Sequence, residues 1–125
     1  MEKEFIPYEQ ALALKELGFD ESCFGAYHNE NNLDLWSEEF DYSYAVKAPL
    51  YQQAFRWFRE KGFEIDFTFH KEYLQNGDKN VYEVNVKDTN LSKVYLTTPL
   101  NGFKSYEEAE LECLKKLIEI VSNKK

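Results

Sequence analysis

The chain has 125 residues, of which 43% are hydrophobic and 17% aromatic, and its formal net charge is −8 at pH 7. That length predicts a single domain over residues 1–125, and the apolar content excludes a disordered chain, which could not offset the entropy of ordering. The short apolar stretches, and an N-terminus without the basic and apolar regions of a signal peptide, predict a cytoplasmic protein with no membrane segment.

The negative charge belongs to one segment. Between Lys15 and Lys47 lie 31 residues without a lysine or an arginine, and this segment carries eight acidic residues. It also holds seven aromatic residues. A solvating acidic tail would be poor in aromatic residues, so we expect residues 16–46 to fold.

The first helix is predicted from its end signals. Pro7 has a preset φ and no N–H to lose in a first turn, and apolar residues follow it at helical spacing. Gly18, followed by Phe19, is typical of a left-handed C-terminal cap with a hydrophobic closure. These signals predict a helix over residues 8–17.

The next elements are a hairpin and a second helix. Two runs with apolar residues flank an asparagine-rich turn, which predicts a β-hairpin within residues 23–36. Pro49 and Gly62 then bracket an amphipathic stretch, which predicts a helix over residues 50–61.

A three-stranded antiparallel sheet is predicted over residues 63–70, 80–87 and 91–98. Strict alternation of apolar and polar residues in the first of these strands indicates one buried face. Turn chemistry at 76–78 and at 88–90 connects the strands as hairpins. The residues expected to point inward are Phe63, Ile65, Phe67, Phe69, Tyr82, Val84, Val86, Val94 and Leu96.

The last helix is predicted over residues 105–122. Ser105 and Glu108 have the spacing of a capping box, and an apolar stripe that includes Tyr106 and Cys113 follows. Helices packed on one apolar face of a sheet bury the apolar sides of both, so the predicted fold is a two-layer α+β domain.

A resemblance to a known family is carried by five stretches of sequence, at residues 5–12, 17–24, 48–53, 58–60 and 106–109. Together they resemble a family of small uncharacterised proteins from bacteriophage and mobile-element genomes of gut bacteria. The resemblance spans most of the chain and has no activity, cofactor or catalytic residue to transfer. It implies a compact fold and a genomic setting.

From residue 50 onward, the order of a helix, three antiparallel strands and a helix is similar to that of the double-stranded-RNA-binding domain. That family grips phosphates with lysines at the start of its final helix, whereas Glu107 and Glu108 stand there in this chain. Two carboxylates in that turn would repel phosphate, so direct nucleic-acid binding is disfavoured.

The residues that could carry catalysis or hold a metal form no recognised motif. Cys23 and Cys113 are 90 positions apart and are expected to be free thiols, with Cys113 in the core. His70 and Asp66 share the polar face of the first strand of the sheet, with Glu64, and leave a small enzyme or a metal-dependent binder as an alternative function. No catalytic residue, metal or cofactor is predicted.

The leading functional hypothesis is a non-enzymatic accessory or interaction protein. Trp36 lies among carboxylates, and tryptophan and tyrosine anchors with a charged rim are typical of protein interfaces. We expect the acidic aromatic segment 16–46 to engage a basic protein partner, unless its aromatic residues only dock this connection onto the core. A homodimer also stays open. The candidate partner surface comprises Asp34, Trp36, Glu38, Glu39, Asp41 and Tyr42.

Overall fold

The computed structural model describes residues 4–21, 23–29, 32–35, 45–74, 77–96, 103 and 105–123, with residues 70, 72–74, 77–80 and 96 described by their backbone alone. It has three helices and two three-stranded antiparallel sheets, an α+β fold. The elements in chain order are α1 (Tyr8–Glu16), β1 (Gly25–Asn29), β2 (Asn32–Leu35), β3 (Val46–Ala48), α2 (Tyr51–Glu60), β4 (Phe63–Leu74), β5 (Gly77–Asp88), β6 (Lys93–Leu96) and α3 (Tyr106–Asn123).

The chain clusters into two compact units. The first unit comprises residues 1–54 and 118–125, and the second comprises residues 55–117. Helices α2 and α3 therefore each contribute residues to both units. Among the described residues, no helix has the length and apolarity needed to span a bilayer.

The first unit contains α1 and a small sheet with the strand order β2-β1-β3. Gly25 in β1 lies opposite Leu35 in β2 and Ala48 in β3. A Cβ atom at Gly25 would lie 2.9 Å from the ring of Phe5, so only glycine fits this close approach. The buried Tyr27 hydroxyl donates a hydrogen bond of 2.7 Å to the carbonyl of Ile6, which ties β1 to the chain before α1.

Helix α1 ends in a Schellman motif. The N–H of Phe19 donates to the carbonyl of Leu14 at 3.0 Å, and the N–H of Gly18 donates to that of Lys15 at 3.1 Å. Gly18 has a φ of 99°, which a residue without Cβ adopts most readily. Phe19 and Leu14 are both buried, so the predicted cap and its hydrophobic closure are confirmed.

The second unit contains a sheet with the strand order β4-β5-β6. Strands β4 and β5 pair along their whole length, from Phe63 opposite Asp88 to Leu74 opposite Gly77. The rings of Phe55 in α2 and Tyr106 in α3 each lie 5.4 Å from the ring of Phe67 in β4. Aromatic contacts of this length are typical of a packed apolar face.

The turn after β5 holds the end of α2. Thr89 donates two hydrogen bonds to the carbonyl of Gly62, from its N–H at 2.9 Å and from its hydroxyl at 2.6 Å. The side-chain amide of Asn90 donates to the carbonyl of Lys61 at 3.4 Å. The buried carboxylate of Asp88 accepts the N–H of Asn90 at 3.0 Å, so the turn and the helix end form one hydrogen-bonded structure.

The predicted α+β class, the three helices and the hairpin within residues 23–36 are confirmed. At the start of α3, the N–H of Glu108 donates to the Ser105 hydroxyl at 3.1 Å, as half of the expected capping box requires. The sequence did not predict β3, because its three residues are too few to show an alternation of apolar and polar side chains. The two-layer arrangement and the single domain stay predictions.

Some details of the predicted sheet are wrong. Val94 is 56% exposed, because it lies opposite the exposed Lys87 on the polar face, while its neighbour Tyr95 lies opposite the buried Val86. A register that differs by one residue turns each side chain to the other face. Strand β5 already begins at Gly77, which lies opposite Leu74, so the predicted turn 76–78 overlaps the start of this strand. Residues 97 and 98, predicted to end the third strand of this sheet, lie outside the described residues.

Candidate functional site

Asp34 is the only member of the candidate partner surface that lies within the described residues. Its Oδ2 atom is 3.0 Å from Nε2 of His28, so the pair joins β2 to β1. The side chains are 55% and 36% exposed, respectively, and exposed pairs of this kind contribute at most about 1 kcal/mol. The other members, Trp36, Glu38, Glu39, Asp41 and Tyr42, lie outside the described residues.

The negative charge of the chain falls almost entirely on the first unit. Its residues include 12 acids and 5 bases, whereas the second unit has 11 acids and 10 bases. Glu9 and Glu16 are two helical turns apart and lie on the same side of α1. The exposed carboxylates on described residues of this unit are Glu4, Glu9, Glu16, Asp20, Asp34 and Glu119.

The two described lysines of the first unit lie at one cavity. This cavity has a volume of about 440 Å³ and is open to solvent. Lys47 donates a hydrogen bond of 2.6 Å from Nζ to the backbone carbonyl of Asp20, which holds its ammonium group against the protein. The lining residues are Ala11, Lys15, Gly18, Phe19, Asp20, Ala45 and Lys47.

The two cysteines are buried free thiols. Burial raises the pKa of Cys23 to about 11, against the opposing effect of the Lys47 charge, and the thiol donates to the carbonyl of Glu21 at 3.3 Å. Burial, aided by the charge of Glu110, raises the pKa of Cys113 to about 12. Both thiols are therefore protonated at neutral pH, which makes them poor nucleophiles. The predicted core position of Cys113 is confirmed.

The residues of the predicted polar face of β4 are spread along the strand. Glu64 and Asp66 are exposed and lie opposite Lys87 and Asn85, respectively, while the side chain of His70 lies outside the description. A strand separates residues four apart by about 13 Å, so the backbone does not bring Asp66 and His70 together. Within the described part of the chain, no three His, Cys, Asp or Glu residues form a group that could hold a metal ion.

Four aromatic rings form a partly exposed cluster in the second unit. We call Phe67, Phe69, Tyr82 and Tyr106 the aromatic cluster. Its ring centroids lie 5.4 Å apart for Phe67 and Tyr106, 6.3 Å for Tyr82 and Tyr106, and 5.0 Å for Phe69 and Tyr82. Phe69 is 57% exposed and Tyr106 is 45% exposed.

The exposure of these two rings corrects the sequence-based prediction, in which both lie on buried faces. Alternation identifies which residues share a face of β4, and Phe67 and Phe69 do. It does not tell how far along the strand the helices cover that face. The burial of the face falls from Phe63, at 4% exposed, to Phe69, at 57%.

A small crevice of about 50 Å³ opens at the aromatic cluster. Thr68 and Glu83, which are opposite each other in the β4 and β5 register, complete its lining. Glu107 and Glu108 are exposed in the first turn of α3, next to Tyr106. Burial first, and then the charge of Glu110, raise the pKa of Tyr106, so its phenol is protonated at neutral pH.

No family model, curated protein or solved structure matches this chain.

Proposed function

We propose that the protein is a non-enzymatic interaction protein whose first unit engages a basic protein partner. The observation that carries the proposal is the distribution of charge, with 12 acids against 5 bases in the first unit. An acidic surface raises the local concentration of a basic partner, speeds its association and repels acidic competitors.

The accessible carboxylates support this proposal. Glu9, Glu16 and Asp20 are all exposed, and the two glutamates lie along one side of α1. Lys15 and Lys47 are the two described bases of this unit, and its exposed carboxylates outnumber them. Charges at solvent-exposed positions act over about 8 Å at physiological salt, so neighbouring carboxylates of one unit reinforce each other.

The acidic aromatic segment 16–46 is the proposed contact region. Its carboxylates would steer the partner, and Trp36 and Tyr42 would supply the large, rigid apolar contacts that dominate the affinity of many interfaces. In this proposal the pair of Asp34 with His28 sits at the rim, where charges affect association more than residence time.

The test is a binding titration with a defined probe, a fluorescent peptide rich in lysine and arginine. We expect the wild type to bind it in a salt-dependent manner and Glu9→Lys/Glu16→Lys/Asp20→Lys to bind at least about tenfold more weakly. The matched control is Glu60→Lys/Glu64→Lys/Asp66→Lys, which makes the same change of charge at exposed positions of the second unit. We expect the control to retain most of the affinity.

Two outcomes would contradict the proposal. One is equal weakening by the two triple variants, which would show that only the net charge matters. The other is no binding to the basic peptide together with binding to a short RNA duplex, which would favour the RNA-binding alternative. A third variant, Glu38→Lys/Glu39→Lys/Asp41→Lys, tests whether the central part of the segment contributes.

A further inference from the structure

We propose that the aromatic cluster of the second unit is a binding site for the ammonium group of a lysine side chain on a protein partner. The crevice beside the rings has a volume of about 50 Å³, enough for the end of one side chain but not for a whole drug-sized ligand. Binding at this site does not depend on the acidic residues of the first unit.

The rings supply the attraction for a cation. The face of an aromatic ring is electron-rich, and a cation within about 6 Å of a ring centroid is attracted to it. Phe67, Tyr82 and Tyr106 follow one another at centroid distances of 5.4 and 6.3 Å, and Phe69 adds a largely exposed ring beside Tyr82. A guest in the crevice would therefore touch several rings at once.

The surrounding charge selects the sign of the guest. Glu83 lines the crevice, and Glu110 lies one helical turn after Tyr106, on the same side of α3. Lys71, two residues after Phe69 in β4, is the base that the described part of the strand places on the same face. The carboxylates outnumber it, so the local field favours a cation over an anion or a neutral group.

The same chain shows the contact that we expect for the guest. In the second unit, Nζ of Lys61 lies 4.3 Å from the ring of Trp57, and Nζ of Lys93 lies 4.8 Å from the ring of Tyr95. Those rings already have a cation from the chain. The aromatic cluster has a crevice and two rings that are about half exposed, so a cation from a partner can reach it.

The test compares two short peptides that differ in one side chain, lysine in one and norleucine in the other, by the shifts of the Tyr82 ring signals in NMR titrations, because these signals report binding at the aromatic cluster. Norleucine keeps the apolar chain and removes the charge. We expect the full-length protein to bind the lysine peptide about fivefold more tightly. Phe69→Leu and Tyr106→Leu should each reduce this preference to less than about twofold, since leucine is apolar but has no aromatic face.

Two further variants control for folding and location. Tyr106→Phe retains the ring and should retain the preference for lysine. Val94→Ala shortens an apolar side chain that is 56% exposed on the polar face of the same sheet, and it should leave the titration unchanged. The triple charge reversal on Glu9, Glu16 and Asp20 should also retain the preference, which separates this proposal from that for the first unit.

Three results would overturn the proposal. The first is equal affinity for the two peptides, as expected of an apolar crevice without selection for charge. The second is a lysine preference that survives both leucine variants. The third is a concentration-dependent dimer in light scattering that Phe69→Leu converts to a monomer, because a second copy of the chain would then be the occupant of the aromatic cluster.

Discussion

Helix α1 of the first unit and helix α2, whose C-terminal part belongs to the second unit, end with the same local signal in different surroundings. Gly18 and Gly62 have φ values of 99° and 102°. A Cβ atom at Gly18 would have no heavy atom within 4 Å, whereas one at Gly62 would lie 2.6 Å from Nδ2 of Asn90. Gly18 is required only for its positive φ. Gly62 is required for its positive φ and also because the turn after β5 approaches it closely.

The same contrast extends to the surfaces of the two units. The first has a large excess of carboxylates, and the second is close to neutral but exposes aromatic rings at one end of its sheet. Charge acts over several ångströms and steers encounters, while exposed rings bind only at contact. The two surfaces therefore suit different steps of recognition. The following predictions compare the two units by the effect of substitutions on the stability of the protein.

The largest expected effect comes from the core of the second unit. Phe58 is fully buried, with its ring 5.0 Å from that of Trp57 and 6.3 Å from that of Phe63. Phe58→Ala should lower the free energy of unfolding by about 3–5 kcal/mol in urea denaturation, because it leaves a cavity. Phe24→Ala, at an exposed position of the first unit, should cost less than about 1 kcal/mol. Similar losses for the two variants would contradict the observed burial.

The two cap glycines give the next effect. Gly18→Ala should cost about 1 kcal/mol, the strain of a side chain in a left-handed conformation. Gly62→Ala should cost about 1 kcal/mol more, since the new methyl group would also displace Asn90. The difference is measured by urea denaturation. In the double variant Gly62→Ala/Asn90→Ala the clash is absent. Measured against Asn90→Ala alone, the cost of alanine at position 62 in free energy of unfolding should fall to that of Gly18→Ala. Equal costs for the single variants would show that the approach of Asn90 is unimportant.

The thiols give a pH-dependent effect. Their pKa values are raised in the fold to about 11 for Cys23 and about 12 for Cys113, so the folded state favours the protonated forms. Their contribution to stability is fully present below the pKa of the unfolded chain, near 9, and is lost as the pH rises through these values. We expect a falling urea midpoint between pH 8 and pH 10.5, and a shallower fall in Cys113→Ala.

At pH 8 both thiols should react slowly with a disulfide reagent, Cys113 more slowly than Cys23. Fast labelling of either thiol would contradict its burial.

The smallest effect is expected at the pair of His28 and Asp34. Both side chains are exposed, and the pair joins neighbouring strands. Asp34→Asn should change the free energy of unfolding by less than about 0.5 kcal/mol in thermal or urea denaturation. A loss above about 1 kcal/mol would mean that this pair holds the hairpin together and that Asp34 is not available to a partner.

Local signals in the sequence determined the helices and the hairpins. The glycine caps at 18 and 62, the capping residue Ser105 and the alternation from Phe63 to Phe69 each act through neighbouring backbone and side chains. Such signals are readable because their energy depends on residues close in sequence. The excess of negative charge in residues 16–46 was also visible, because it follows from counting acidic and basic residues in the sequence.

Tertiary structure alone decided which parts of those elements are covered. The register of β6 against β5 turned Val94 outward and Tyr95 inward, and no local pattern fixes that choice in a four-residue strand. The exposure of Phe69 and Tyr106 depends on where the helices end against the sheet, which is set by long-range packing. The sequence thus determined the helices, the hairpins and the excess of carboxylates in the first unit. Which aromatic rings stay exposed for a ligand was decided only when the elements packed, because burial is a property of neighbours distant in sequence.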